Sequence, residues 1–271
     1  MIETEPEVVT VTSRDGTKIA CHRSGTGPPL VLVHGTGGSG ARWTQLLPAL
    51  TSRFTVYAMD RRGRGASGDT EPYAIEHEYE DVSVVVDGID EPVNLFGHSY
   101  GALCCLEGAV RTSNLRRLVL YEPAFPTGIA LYEPGSRDRL EELLAAGDRE
   151  GVLVTFMREI VGMPEEEIEL VRASAAWEAR VAAAHTVPRE FADADYVFDP
   201  DRFRDLRVPT MLLMGGESPE VLRRPTQLLQ RTLPDAGLVV LEGQQHIAMV
   251  TAPDLFLREL IGFLDEPEPS S

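Results

Sequence analysis

Short, continuously apolar runs alternate with longer amphipathic stretches along most of this chain. Residues 8–13 alternate in a strand-like way, Asp15-Gly16 supplies a tight turn, and 17–23 runs back, which predicts a β-hairpin. Residues 30–33 read Leu-Val-Leu-Val without a polar break, as expected of a strand buried on both faces. Further strands are predicted over 54–59, 92–96, 118–121, 210–214 and 237–241. Between them, 41–50 puts Trp43, Leu46, Leu47 and Leu50 on one helical face, and helices are expected over 79–89, 102–111, 224–233 and 255–264.

Strands alternating with helices predict an α/β chain with a mostly parallel, doubly wound sheet. In such sheets the functional groups gather beyond the carboxyl ends of the strands. The alternation stops over 126–205, which has no strand-like run, is rich in alanine and glutamate, and shows helical spacing over 137–146, 151–161 and 165–184. We read 126–205 as a helical cap inserted into a core made of 1–125 and 206–271, with a frayed acidic tail over 266–271.

At 271 residues and 43% hydrophobic, the chain is long enough for one well-buried core. Its net charge of −18 argues against nucleic acid and anionic membranes as partners and otherwise serves solubility; a small-molecule substrate and a monomer or homodimer are expected. No secretory signal stands at Met1 to Glu7, and no run approaches the ~18 apolar residues of a membrane span. Three cysteines, two of them adjacent, do not make a disulfide framework, so a reducing cytoplasm is the expected location. Cys104 and Cys105 are expected to pack inside the helix over 102–111.

The chemistry concentrates in Gly97-His98-Ser99-Tyr100-Gly101, a G-x-S-x-G segment set between a strand and a helix. A serine on such a turn is held in a strained backbone, flanked by residues small enough to fit, with its hydroxyl raised at the helix N-terminus. A serine hydroxyl is a poor nucleophile without a base. Of the six histidines, His246 is the best placed, in the loop just past the last strand. A base needs an orienting carboxylate. Glu122, at the end of the strand over 118–121, and Glu217, after the strand over 210–214, both stand at the right edge; Glu122 is preferred. Backbone amides for an oxyanion are expected from Tyr100 and from Thr36 in the run His34-Gly35-Thr36-Gly37-Gly38. Gly35, Gly37 and Met249 are expected to face substrate. His34 and His98 are expected to hold loops by hydrogen bonds, residues 60–67 to shape a neighbouring loop, and Trp177 and Phe156 to pack within the cap. The glycine-rich run lacks a nucleotide-binding pattern and no cluster has metal-ligand spacing, so neither cofactor nor metal is expected.

Together these residues resemble the α/β-hydrolase superfamily, over about 8–125 and 208–264. The order Ser99, Glu122, His246 matches the superfamily order of nucleophile, acid and histidine. The position where the resemblance implies an aspartate holds Ser218, but members with the acid one strand after the nucleophile, haloalkane dehalogenases among them, make Glu122 the carry-over. Dehalogenases and epoxide hydrolases use an aspartate nucleophile, against which Ser99 argues; the run 34–38 is similar to the oxyanion loop of serine esterases, proline iminopeptidases and C–C bond hydrolases. The resemblance implies a serine hydrolase acting on a small or medium carboxylic ester. The alternatives are a C–C bond hydrolase or lyase, or a non-catalytic binding protein on the same fold.

Overall fold

The computed structural model describes residues 6–128 and 131–266, and within these the side chains of 192–195 are not described. Eight strands form one sheet: β1 (Glu7–Thr12), β2 (Lys18–Ser24), β3 (Pro29–Val33), β4 (Thr55–Met59), β5 (Val93–His98), β6 (Leu115–Tyr121), β7 (Thr210–Gly215) and β8 (Ala236–Leu241). Their order is β1-β2-β4-β3-β5-β6-β7-β8. The β1–β2 hairpin and the β2–β4 pair are antiparallel and every other pairing is parallel. The sheet is therefore that of the α/β-hydrolase fold.

The helices are α1 (Leu47–Thr51), α2 (Ile75–Asp87), α3 (Tyr100–Ala109), α4 (Ser136–Ala145), α5 (Arg149–Thr155), α6 (Glu165–Arg172), α7 (Trp177–Ala183), α8 (Glu220–Thr232), α9 (Ala248–Thr251) and α10 (Pro253–Leu264). Strands β3, β5 and β7 are buried along their whole length, which is why their sequences carry no polar alternation. One apolar layer holds Trp43, Phe96 and Phe256; the layer on the other face holds Tyr79, Leu103, Cys104 and Cys105. All three cysteines are free and buried.

Two helical expectations are corrected. The stretch 41–50 is not one helix: a 3-10 turn, Gly40–Trp43, precedes α1. Pro48 has no N–H to give to the Thr44 carbonyl, so it is accommodated in the first turn of a new helix instead. Trp43, Leu46 and Leu50 still reach the core. The stretch 165–184 divides into α6 and α7 at Ser174, whose hydroxyl donates back to the Val171 carbonyl at 2.7 Å. Between β6 and β7 lie α4 to α7 with 3-10 and π turns, and no strand among the described residues. The acidic tail lies outside the described residues beyond Glu266. Among the described residues no helix is long and apolar enough to cross a membrane.

Candidate active site

Strand β5 ends at His98, α3 begins at Tyr100, and Ser99 makes the corner with φ 57° and ψ −125°. The flanking glycines are required by space. A Cβ on Gly101 would stand 2.3 Å from the His34 carbonyl oxygen, and one on Gly97 would stand 2.6 Å from Ala102 Cα. Helix α3 can thus lie directly on the end of β3, with Ser99 only 9% exposed.

His246 follows β8 and a four-residue turn. Its Nδ1 donates to Glu122 Oε2 at 2.5 Å, which leaves Nε2 as the basic nitrogen. The other carboxylate oxygen, Oε1, accepts the Gly215 amide at 2.7 Å. Glu122 is fully buried. Among the described residues, only Ser99 and Glu122 are non-glycine residues at positive φ, 57° and 44°. Strain of this kind costs roughly 1–3 kcal/mol and gathers at functional sites. Of the two carboxylates left open by the sequence, Glu122 meets the imidazole. Glu217 points to solvent, and its amide donates to the Gln244 carbonyl at 2.9 Å. Ser218 is buried, and its hydroxyl has no hydrogen-bond partner.

The loop carrying His246 is held from below. Tyr121 donates its hydroxyl to the Gln245 carbonyl and accepts the Ala248 amide at 3.2 Å. His98 Nε2 donates to the His246 carbonyl at 2.8 Å. Burial, with His246 and Arg42 nearby, keeps the His98 pKa well below the ordinary histidine value. His34 acts similarly on its own loop: Nδ1 donates to the Gly35 carbonyl at 2.8 Å and Nε2 accepts the Arg61 amide at 3.2 Å. Burial, then the Arg61 and Arg64 charges, push its pKa down to about 3, so the acceptor nitrogen stays unprotonated. Asp60 shapes the neighbouring loop, accepting from the Gly40 and Ala66 amides at 2.6 and 2.9 Å.

Two pockets meet at Ser99. One, with a cavity volume of about 70 Å³, is lined by Thr36, Ser99, Tyr100 and His246 with a mostly apolar remainder that includes Leu103 and Phe191. The other, about 30 Å³, shares Thr36, Ser99 and His246 and adds Gly35, Arg42 and Arg180. Phe156 borders both pockets rather than packing only among the cap helices, because α5 runs into a π turn, Phe156–Ile160, that swings it toward the site. Gly37 and Met249, expected to face substrate, border neither pocket. Gly37 turns under Leu153, and Met249 lies behind Arg42, whose Nη2 is 3.3 Å from its sulfur. Trp177 packs against the apolar layer and the Arg172 guanidinium.

Three arginines with no sequence signal for burial lie in the loop after β4, and two of them, Arg61 and Arg64, tie the site to the segment between β6 and β7. Arg61 donates to Glu78 at 2.6 Å and to Glu190 at 2.7 Å; Arg64 donates to Glu78 at 3.0 Å and also pairs with Glu190. Arg62 makes a two-pronged bond to Asp81, both at 2.8 Å. The Arg61 guanidinium lies 4.8 Å from the ring centroid of Tyr100, the residue after Ser99. Among the described residues no group of His, Cys, Asp or Glu is suited to hold a metal ion.

The chain is similar to proteins of known kind over nearly its whole length. A crystal structure of an alpha/beta hydrolase from Sphaerobacter thermophilus superposes with a TM-score of 0.81 at 38% identity, covering 94% of this chain and 100% of that one. The pimeloyl-[acyl-carrier protein] methyl ester esterase of Aeromonas hydrophila is 27% identical over 91% of this chain and 99% of its own length. The 2-(acetamidomethylene)succinate hydrolase of Mesorhizobium japonicum is 25% identical over 89% of each. A model of the alpha/beta hydrolase family matches residues 30–259. On that match the chain belongs to the alpha/beta hydrolase family, and it is a hydrolase of that family.

Proposed function

We propose that this hydrolase cleaves small or medium carboxylic esters through an acyl-enzyme on Ser99. His246 Nε2 takes the Ser99 proton as the oxygen attacks the ester carbonyl. The amides of Thr36 and Tyr100 hold the resulting oxyanion, the latter at the N-terminal end of α3, where the helix dipole adds to the field. The departing alcohol takes the proton back from His246, and water, activated by the same nitrogen, then releases the acid. Glu122 keeps the proton on Nδ1 and stabilises the imidazolium formed in each half-reaction. The helices over 126–205 serve as a cap that excludes water and sets specificity.

The reading rests on one observation above others: the only two strained non-glycine residues described are Ser99 and Glu122, and Glu122 is hydrogen-bonded to a histidine that shares a pocket with Ser99. The methyl ester esterase among the relatives is consistent with it.

The test is a panel of chromogenic esters of varied acyl length on wild type and Ser99→Ala, with labelling by a fluorophosphonate. Ser99→Ala is expected to lose about 10³-fold or more in kcat/KM and all labelling. Activity retained in Ser99→Ala, without an acyl-enzyme, would transfer the chemistry to His246 acting as a base in a lyase or C–C bond reaction.

A further inference from the structure

Arg42 and Arg180 reach the chamber beside Ser99 and, among the described residues, neither pairs with an acid. Arg42 comes from the 3-10 turn after the glycine-rich loop and Arg180 from α7, and both border the second of the two pockets that contain Ser99. Arg180 is 9% exposed, and the Nε of each is shielded from solvent and has no hydrogen-bond partner. Their bonds are weak ones: Arg42 Nη2 to the Met249 thioether at 3.3 Å, and Arg180 Nη1 to the Gly37 carbonyl at 3.4 Å. The contrast within the same molecule is sharp. Arg61, Arg62 and Arg64 are more deeply buried still, and each is held by carboxylates. Burial, followed by the neighbouring Arg180 charge, lowers the Arg42 pKa well below its ordinary value, and burial brings Arg180 to about 10. The folded protein therefore keeps a buried guanidinium, Arg180, near a half-buried one, Arg42, and facing no carboxylate among the described residues, an arrangement that is costly without a partner.

The second pocket explains the arrangement. Ser99, Thr36 and His246 stand where the two pockets join, so the reacting carbonyl has an apolar arm on one side and a cationic arm on the other. A planar carboxylate matches the paired donors of a guanidinium. The protein around it carries a net charge of −18, so a cationic pair is what would let an anion settle inside an acidic surface.

We infer that Arg42 and Arg180 form a carboxylate subsite, and that the substrate is an ester with an apolar group on one side of the scissile carbonyl and a carboxylate on the other. The inference builds on the esterase reading, and the experiment separates the two. Esters of equal length are compared in pairs with and without a terminal carboxylate: methyl hydrogen adipate against methyl hexanoate, for a charge in the acyl half, and butanoyloxyacetate against its amide, for a charge in the alcohol half. The charged member of one pair is expected to be preferred by about tenfold or more in kcat/KM, chiefly through KM. Arg42→Gln and Arg180→Gln should each collapse that ratio. A readout independent of turnover is thermal unfolding. Arg180→Met should raise Tm, because it removes an unpaired buried charge, and glutarate should raise the Tm of wild type and of Ser99→Ala but not of Arg180→Met.

Ester turnover with no preference for charge, together with no glutarate shift, overturns the subsite and leaves the esterase reading intact. A glutarate shift lost in Arg180→Met, with no ester turned over, keeps the subsite and overturns the esterase reading. A fall in Tm in all the arginine variants marks the pair as structural and overturns the inference. A larger shift with inorganic phosphate than with glutarate overturns the carboxylate assignment.

Discussion

Ser99 and Glu122 are stitched together through the backbone. The Ser99 amide donates to the Tyr121 carbonyl at 2.9 Å, and the Ala124 amide donates to the Ser99 carbonyl at 3.3 Å. The two positive-φ non-glycine corners among the described residues are thus one hydrogen-bonded unit at the ends of neighbouring strands. Each corner braces the other, which explains how two strained residues persist side by side.

Glu122→Gln should lower kcat by about 10³-fold or more with little effect on KM, because an amide cannot stabilise the imidazolium and can favour the wrong tautomer. Ser218→Ala should change kcat little and leave stability equal or higher, since its buried hydroxyl makes no hydrogen bond. Steady-state kinetics on the two variants checks both, and the reverse order would reassign the acid.

Gly101→Ala should be strongly destabilising. Its methyl would press on the His34 and Val33 carbonyl oxygens at 2.3 and 2.7 Å, both of them backbone atoms that yield only if α3 moves off the sheet. A loss of about 3 kcal/mol is expected from overpacking of this kind. Gly237→Ala, in β8, meets nothing within 4 Å and should be neutral or stabilising. Urea midpoints measured for both variants test the contrast.

Glu190→Gln should loosen the segment over 126–205 from the sheet. Glu190 is the acid from that segment that holds Arg61 and Arg64, and its loss leaves both guanidinium groups to Glu78. Breaking one partner of a buried ion cluster costs roughly 3–5 kcal/mol. Limited proteolysis should cut the variant within the segment before the sheet, and equal resistance of both proteins would contradict this.

Stability should fall on mild acidification. Burial depresses the pKa of His34 to about 3 and that of His98 well below 6.5. Below about pH 6.5 the unfolded chain takes up protons at both positions while the folded chain does not, so each removes about 1.4 kcal/mol per pH unit as the pH drops. His22 opposes them: its hydrogen bond to Asp60 raises its pKa, so its contribution is full below 6.5 and is lost as the pH rises through its folded value. Glu78 lies lower still. Burial raises its pKa, but the Arg61 and Arg64 charges outweigh that, so its contribution is lost only below the ordinary carboxylate range. A urea midpoint that stays flat between about pH 7 and pH 5 would falsify the histidine argument.

The hairpin, the buried strands and the corner at Ser99 were legible because short-range sterics write them into adjacent residues. Apolar runs mark β3 and β7, and β5 is apolar but for Asn94 and His98; only glycine fits at 97 and 101. Order along the chain also made His246 the candidate base. The break in 41–50 was readable in principle from Pro48, whereas the division of 165–184 at Ser174 was not, because helical spacing continues across it. Tertiary structure alone decided which carboxylate meets His246. Glu122 and Glu217 each end a strand at the same edge, and the choice depends on how far each side chain reaches across the ends of β6 and β7. It alone set Arg61 among acids and left Arg42 and Arg180 without them, since arginines look alike in a sequence. Backbone strain and periodicity arise between neighbours in the chain, whereas the pairing of charges depends on distances between residues that only the folded chain brings together.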